Sequence, residues 1–161
     1  MSTTDERTKF LSIYLEDHVA GATAGSQRAA RLADAEAEST DAAALATFAA
    51  DVATDLDALL ALMETMGIEP SRLKAGIASV GEKLGAFKPN GRVLDRSPLS
   101  TIVELEMMQM AVRGKRSLWE TLQVAMLQST PIDLAALIAR ADDQLAALSR
   151  LHAGRVASTF S

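Results

Sequence analysis

Apolar residues recur along this chain at three- and four-residue steps, the spacing that lines one face of a helix. Leu11, Tyr14, Leu15, His18, Ala22, Gly25, Ala29 and Leu32 predict a first helix over about residues 7–36. Ser39, Thr40 or Asp41 can cap a second, whose stripe is Leu45, Phe48, Val52, Leu56, Leu59, Met63 and Met66 and which Gly67 ends. So short a link makes these two helices antiparallel neighbours. Ser71 opens a shorter helix, about 71–84, with Leu73, Ile77, Val80 and Leu84 on one face. After it, Lys88-Pro89-Asn90-Gly91-Arg92 reads as a turn within a loop over 86–96. It is not a phosphate cradle, which needs several glycines between a strand and a helix.

Ser97-Pro98 is a cap followed by proline at the first helical position, and it opens a third long helix. Its stripe is Leu99, Val103, Glu106, Met110, Leu118, Leu122 and Met126, with a kink expected at Gly114. Thr130-Pro131 with Asp133 repeats the start signal. A fourth helix follows through Leu134, Leu137, Ile138, Ala141, Leu145, Leu148, His152 and Val156, and these last two helices form a second hairpin.

Two local features refine this outline. Gly21 and Gly25 sit one turn apart in the first helix, and the helix propensity they sacrifice predicts a close helix crossing there. Residues 105–112, LEMMQMAV, are apolar at six of eight positions and wrap most of a helix circumference. Such a helix is covered on more than one side, by the 71–84 helix or by a second subunit, and the expectation is a homodimer.

Composition supports the same class. The 161 residues suit one domain with one core, and 30 alanines against six aromatic residues favour helix over strand. With no cysteine, disulfides, thiolate metal ligands and cysteine nucleophiles are excluded. No window reaches the roughly 18 apolar residues of a membrane span, and the N-terminus lacks a leader's apolar run, so a cytoplasmic protein is expected. Net charge is −5, unevenly spread: residues 1–69 hold 4 Lys/Arg against 13 Asp/Glu, and residues 70–116 hold 9 against 4. The basic middle could meet an anionic partner, but without interleaved aromatic residues nucleic acid is not the expected one.

Candidate chemistry centres on the two histidines, both on apolar stripes. No Ser/His/Asp arrangement is recognisable. In an antiparallel hairpin, residues at equal height have a constant index sum, about 77 for the first pair and about 259 for the second. His18 then lies near Leu59, one turn from Asp55, and His152 lies opposite Met107, adjoining Glu106. If all four helices alternate in direction, His18, Asp55, Glu106 and His152 share one level, with Tyr14 a turn below. Two imidazoles and two carboxylates suit Zn²⁺, Fe²⁺ or Mn²⁺. The same groups equally suit core histidines hydrogen-bonded to carboxylates, with no metal or other cofactor.

Two helical hairpins, 7–66 and 98–160, joined by a long connection resemble the ferritin-like superfamily. The resemblance implies an all-α, antiparallel four-helix bundle, here with an extra short helix in the connection. Members of that superfamily with a di-metal centre carry Glu-x-x-His. This chain has Leu15 three residues before His18 and Ser149 three before His152, so the resemblance is to a branch without that motif. Residues 14–25, YLEDHVAGATAG, also look like bacterial helical proteins, which implies no activity. A ferritin-like crossover runs the length of the bundle; it would move Glu106 and His152 away from His18 and bring Asp142 or Asp143 closer. The expected function is a small binding or assembly protein, with a metal-dependent enzyme using His18 and His152 as the alternative.

Overall fold

The computed structural model describes residues 3–68, 97–126 and 131–161. Four helices account for nearly all of them: α1 (Thr3–Ala35), α2 (Ala42–Thr65), α3 (Pro98–Ala125) and α4 (Leu134–Phe160), with no strand among the described residues. The short helix expected at 71–84 and the loop expected at 86–96 lie outside the described residues. None of the helices is long and apolar enough to cross a membrane.

The helix ends follow local chemistry. Ser97 Oγ accepts the Leu99 backbone N–H at 3.3 Å, with Pro98 beginning α3, and Asp133 Oδ1 accepts the Ala136 N–H at 2.9 Å to cap α4. At the end of α2, Gly67 takes φ of 67°. The chain then folds back so that the Ile68 N–H reaches the Met63 carbonyl at 2.9 Å and the Gly67 N–H reaches that of Glu64 at 2.9 Å. This is the Schellman closure that a glycine at this position permits. Asp41 precedes α2 without a capping bond from its side chain, which turns instead to Arg155. Gly114 sits within an unbroken α3.

Contacts between helices fix their directions. Arg7 Nη2 donates to the Ala125 carbonyl (2.8 Å), Tyr14 to Thr121 (3.2 Å), Arg28 pairs with Glu104 (3.5 Å), and Thr101 donates to Glu36 (2.6 Å). As the index rises along α1 it falls along α3, so the two are antiparallel. Asp41 meets Arg155 and Asp55 meets Gln144, which makes α2 and α4 antiparallel as well. With each hairpin antiparallel within itself, the directions read up, down, down, up. The end of α2 and the start of α3 therefore stand at opposite ends of the bundle.

The core lies in two parts. Toward the N-terminal end of α1, Leu15, Val19, Leu59, Leu62, Met63, Leu118, Trp119, Leu122, Leu134 and Leu137 pack together. Toward its C-terminal end, Ala29, Leu32, Leu45, Phe48, Val52, Leu105, Met108, Val112, Ala141 and Leu148 form the other part. Two expectations are corrected here. In the first half of α3 the buried face is Ile102, Leu105, Met108 and Val112, while Leu99, Val103 and Met110 are exposed by half or more. Both faces of that segment are apolar, so periodicity alone could not choose between them. Nor does a helix cross closely at Gly21 and Gly25: a Cβ placed on either would find no heavy atom within 4 Å.

Candidate functional site

Between the two parts of the core, heptad-spaced interior positions turn polar on three helices at the same height. Asp55 continues the series Phe48, Val52, Leu59 and Leu62 on α2; Lys115 continues Leu105, Met108, Val112 and Leu122 on α3; Gln144 continues Leu137, Ala141 and Leu148 on α4. Asp55 is 1% exposed and Gln144 is 3% exposed, so both require partners. They find them in one network. The Lys115 ammonium donates to Asp55 Oδ2 and to Gln144 Oε1, and Gln144 Nε2 donates to Asp55 Oδ2 at 3.0 Å. From the outer side of α4, Arg140 brings Nε to 2.8 Å from Asp55 Oδ1, as an ion pair off the hydrogen-bond line.

Burial pulls the Lys115 ammonium below its ordinary lysine range, and the hydrogen bond and charge of Asp55 work against that shift. Arg140 adds to the lowering, since a second cation stands close by. One buried carboxylate thus faces two cations, Lys115 inside the bundle and Arg140 at its partly exposed edge. Further out, Arg116 pairs with Asp142 (2.7 Å) and Glu120 (2.6 Å) on the exposed surface.

Beside this polar layer is a cavity of about 220 Å³ bounded by α1, α2 and α3. Gly21 and Gly25 on α1 and Gly114 on α3 all line it, and none of the three would bring a Cβ within 4 Å of another group. The glycines hollow the bundle where side chains would otherwise fill it. Gly21, Ala111 and Gly114 are also exposed, which puts the mouth at the seam between α1 and α3. The seam is closed below by Tyr14 with Thr121 and above by Arg28 with Glu104. The floor and far wall are apolar, with Phe48, Val52, Leu59 and Leu118 among them. Its polar groups are few: Asp17 at the exposed rim, His18, Asp55, Lys115 and Trp119.

His18 is half-buried and packs edge-on against Tyr14, ring centroids 4.5 Å apart. Burial lowers its pKa from the ordinary value, with the Asp17 charge opposing the shift, so the ring is neutral at pH 7. Trp119 is 1% exposed and its indole N–H has no acceptor among the described residues.

The four residues singled out from sequence thus divide into two pairs. His18 and Asp55 line the same cavity. Glu106 and His152 meet each other, Oε1 to Nε2 at 3.1 Å, on the outer side of the α3–α4 hairpin. Their level is marked by Arg28, whose Nη2 lies 3.7 Å from Met107 Sδ; that is ten residues along α1 from His18, roughly 15 Å on the helix axis. The separation follows from the up, down, down, up order. Among the described residues, no three His, Asp or Glu side chains group so as to hold a metal ion.

Sequence reading passed over Lys115, Gln144, Arg140 and Trp119. Their signal was present as polar residues interrupting heptad-spaced apolar series, but it becomes a site only when the three interruptions fall in one layer. It also passed over Glu36, 8% exposed, which accepts from Thr101 at 2.6 Å and from Arg155 at 2.7 Å. Arg155 reaches Asp41 as well, at 3.2 Å, so this cluster clasps one end of the bundle. The chain matches no protein-family model, no curated protein and no solved structure.

Proposed function

We propose that this protein binds a small, largely apolar molecule in the cavity between α1, α2 and α3. The observation that carries the reading is the glycine-walled hollow of about 220 Å³, set against a buried polar layer. Protein interiors are ordinarily filled to crystal-like density, and unfilled core volume is costly. A ligand pocket is concave, mostly apolar and supplied with a few convergent polar groups, and this one has that make-up. For scale, an apolar cavity of about 150 Å³ takes benzene, so the hollow suits a substituted ring or a short branched chain. The order of helix directions and the connection between opposite ends of the bundle support a ferritin-like architecture for this binding protein.

The test is calorimetry with a panel of small aromatic and aliphatic molecules on the intact chain and on Gly25→Leu. Saturable binding by the intact chain that is lost in a folded Gly25→Leu supports the reading. Equal binding by both, or none by either, overturns it.

A second reading, a homodimer, rests on a different face. Leu99, Val103, Met107 and Met110 lie four, four and three residues apart on α3 and are all exposed, by 40% to 65%. A helix stripe of that kind suits a symmetric partner. Sedimentation equilibrium tests it: a monomer at all concentrations, or a dimer unaffected by Met110→Glu, counts against it.

A further inference from the structure

The groups on the cavity wall say more about the ligand than its size. Lys115 has three N–H bonds and spends two, on Asp55 and Gln144, which leaves the third without a partner among the described residues. Trp119 buries an indole N–H that no acceptor among the described residues meets. His18, at the same wall, offers an N–H in either neutral tautomer and hydrogen-bonds to nothing among the described residues. The one carboxylate inside, Asp55, gives Oδ2 to Lys115 and Gln144, while Oδ1 faces Arg140 Nε at 2.8 Å without a hydrogen bond among the described residues. Asp17 belongs to the exposed rim, and Asp51, one turn of α2 away from Asp55, adds its charge toward Lys115 from further out. The buried wall therefore presents unused donors, and Asp55 alone among the buried carboxylates faces the two cations, Lys115 and the partly exposed Arg140. A buried donor without an acceptor is costly, and in native proteins it is ordinarily met.

We infer that the ligand is an anionic amphiphile, a monocarboxylate whose apolar body fills the hollow while its carboxylate accepts from Lys115 and Trp119. This rests on the ligand-binding reading above and narrows it to a chemical class. A neutral alcohol of the same shape would accept from these donors only as a neutral oxygen, without the charge-assisted bond that a carboxylate makes to the Lys115 ammonium. An ammonium head would add a third cation to the layer. The body is small, since the space between Phe48 and Leu118 is closed by the apolar halves of the core at either end.

The experiment uses three molecules that share one body, phenylbutyrate, phenylbutanol and phenylbutylammonium, titrated calorimetrically into the intact chain at pH 7. Trp119 is the only tryptophan in the sequence, so its emission reports occupancy of this wall. The carboxylate is expected to bind about tenfold or more tightly than the alcohol, the gain of charge-assisted over neutral hydrogen bonds. The ammonium is expected to be weakest, and the carboxylate is expected to change the tryptophan emission on saturation. In Lys115→Met the preference for carboxylate over alcohol should fall to about one while the alcohol still binds. Trp119→Phe, which keeps an aromatic side chain but loses the indole N–H, should weaken the carboxylate severalfold while changing the alcohol less, and gives a second test if Lys115→Met does not fold. Alcohol or ammonium binding as tightly as the carboxylate would overturn the anionic assignment and leave the cavity reading standing. Failure of all three to bind or to alter the emission would remove both.

Discussion

Asp55 shows how much one side chain can decide in an otherwise apolar layer. It is 1% exposed and is held by Lys115, Gln144 and Arg140 at once. Removing the carboxylate leaves the buried Lys115 ammonium beside Arg140 without its hydrogen-bonded counter-charge, so Asp55→Ala is expected to cost about 3–5 kcal/mol, the range for breaking a buried pair from one side. Urea denaturation followed by circular dichroism measures this. His18 makes a separate prediction, about pH. Its folded pKa lies below the unfolded value near 6.5, so between those two values the unfolded chain binds more protons than the folded one. Stability is therefore full above about pH 6.5 and declines as pH falls toward the lowered folded value. Asp17 moderates the effect. His18→Phe should flatten the slope, and a variant that keeps the same decline between pH 7 and 5 would assign it to other groups.

At the scale of the element, most of what forms each helix is local, and sequence anticipated it. Ser97 before Pro98, Asp133 before Leu134 and Gly67 after Met66 each act within a few residues of where they stand, so their roles are legible without a neighbour. Ser97→Ala is expected to lower stability by about 1 kcal/mol through loss of its bond to the Leu99 N–H, and thermal melts of the two proteins check it. The glycines of α1 were the opposite case. Their cost to the helix is visible in sequence, but whether it is offset by a close neighbour or by an empty space depends on α3. Since a Cβ at Gly25 or Gly114 meets nothing within 4 Å, Gly25→Leu should leave Tm unchanged or raise it, both by restoring helix propensity and by filling apolar space. A drop of several degrees would show that the helices do approach there. The outward turn of Leu99, Val103 and Met110 has the same origin: residues 99–112 are apolar on two faces, and only contact with α4 and α1 selects one.

For the whole molecule, the polar layer and cavity interrupt a core that would otherwise be continuous. On the binding function proposed above, that layer trades stability for a ligand site. Replacing the layer by apolar residues together, Asp55→Leu with Lys115→Met and Gln144→Leu, should fuse the two parts. The triple variant is expected to be as stable as the parent or more stable by about 1–4 kcal/mol, because the buried Lys115 leaves together with its partner and Arg140, a third exposed, can turn its guanidinium to solvent, whereas ligand binding should vanish. Chemical denaturation measures the first and calorimetry the second; a triple variant less stable than Asp55→Ala would mean that the layer holds the bundle together. By itself the sequence determined the helices, their caps and the pairing into two hairpins, since 3.6-residue periodicity and capping act over a few turns of chain. It also placed His18 near Asp55 and His152 against Glu106, because each of those pairs lies within one hairpin or one index sum. Only the tertiary structure decided which way the second hairpin runs against the first. That choice separated the two pairs by roughly 15 Å, brought Lys115 and Gln144 to Asp55 instead, and left the glycines facing open space. The reason is that the direction of one hairpin against another is set by contacts far apart in sequence, and no local spacing encodes it.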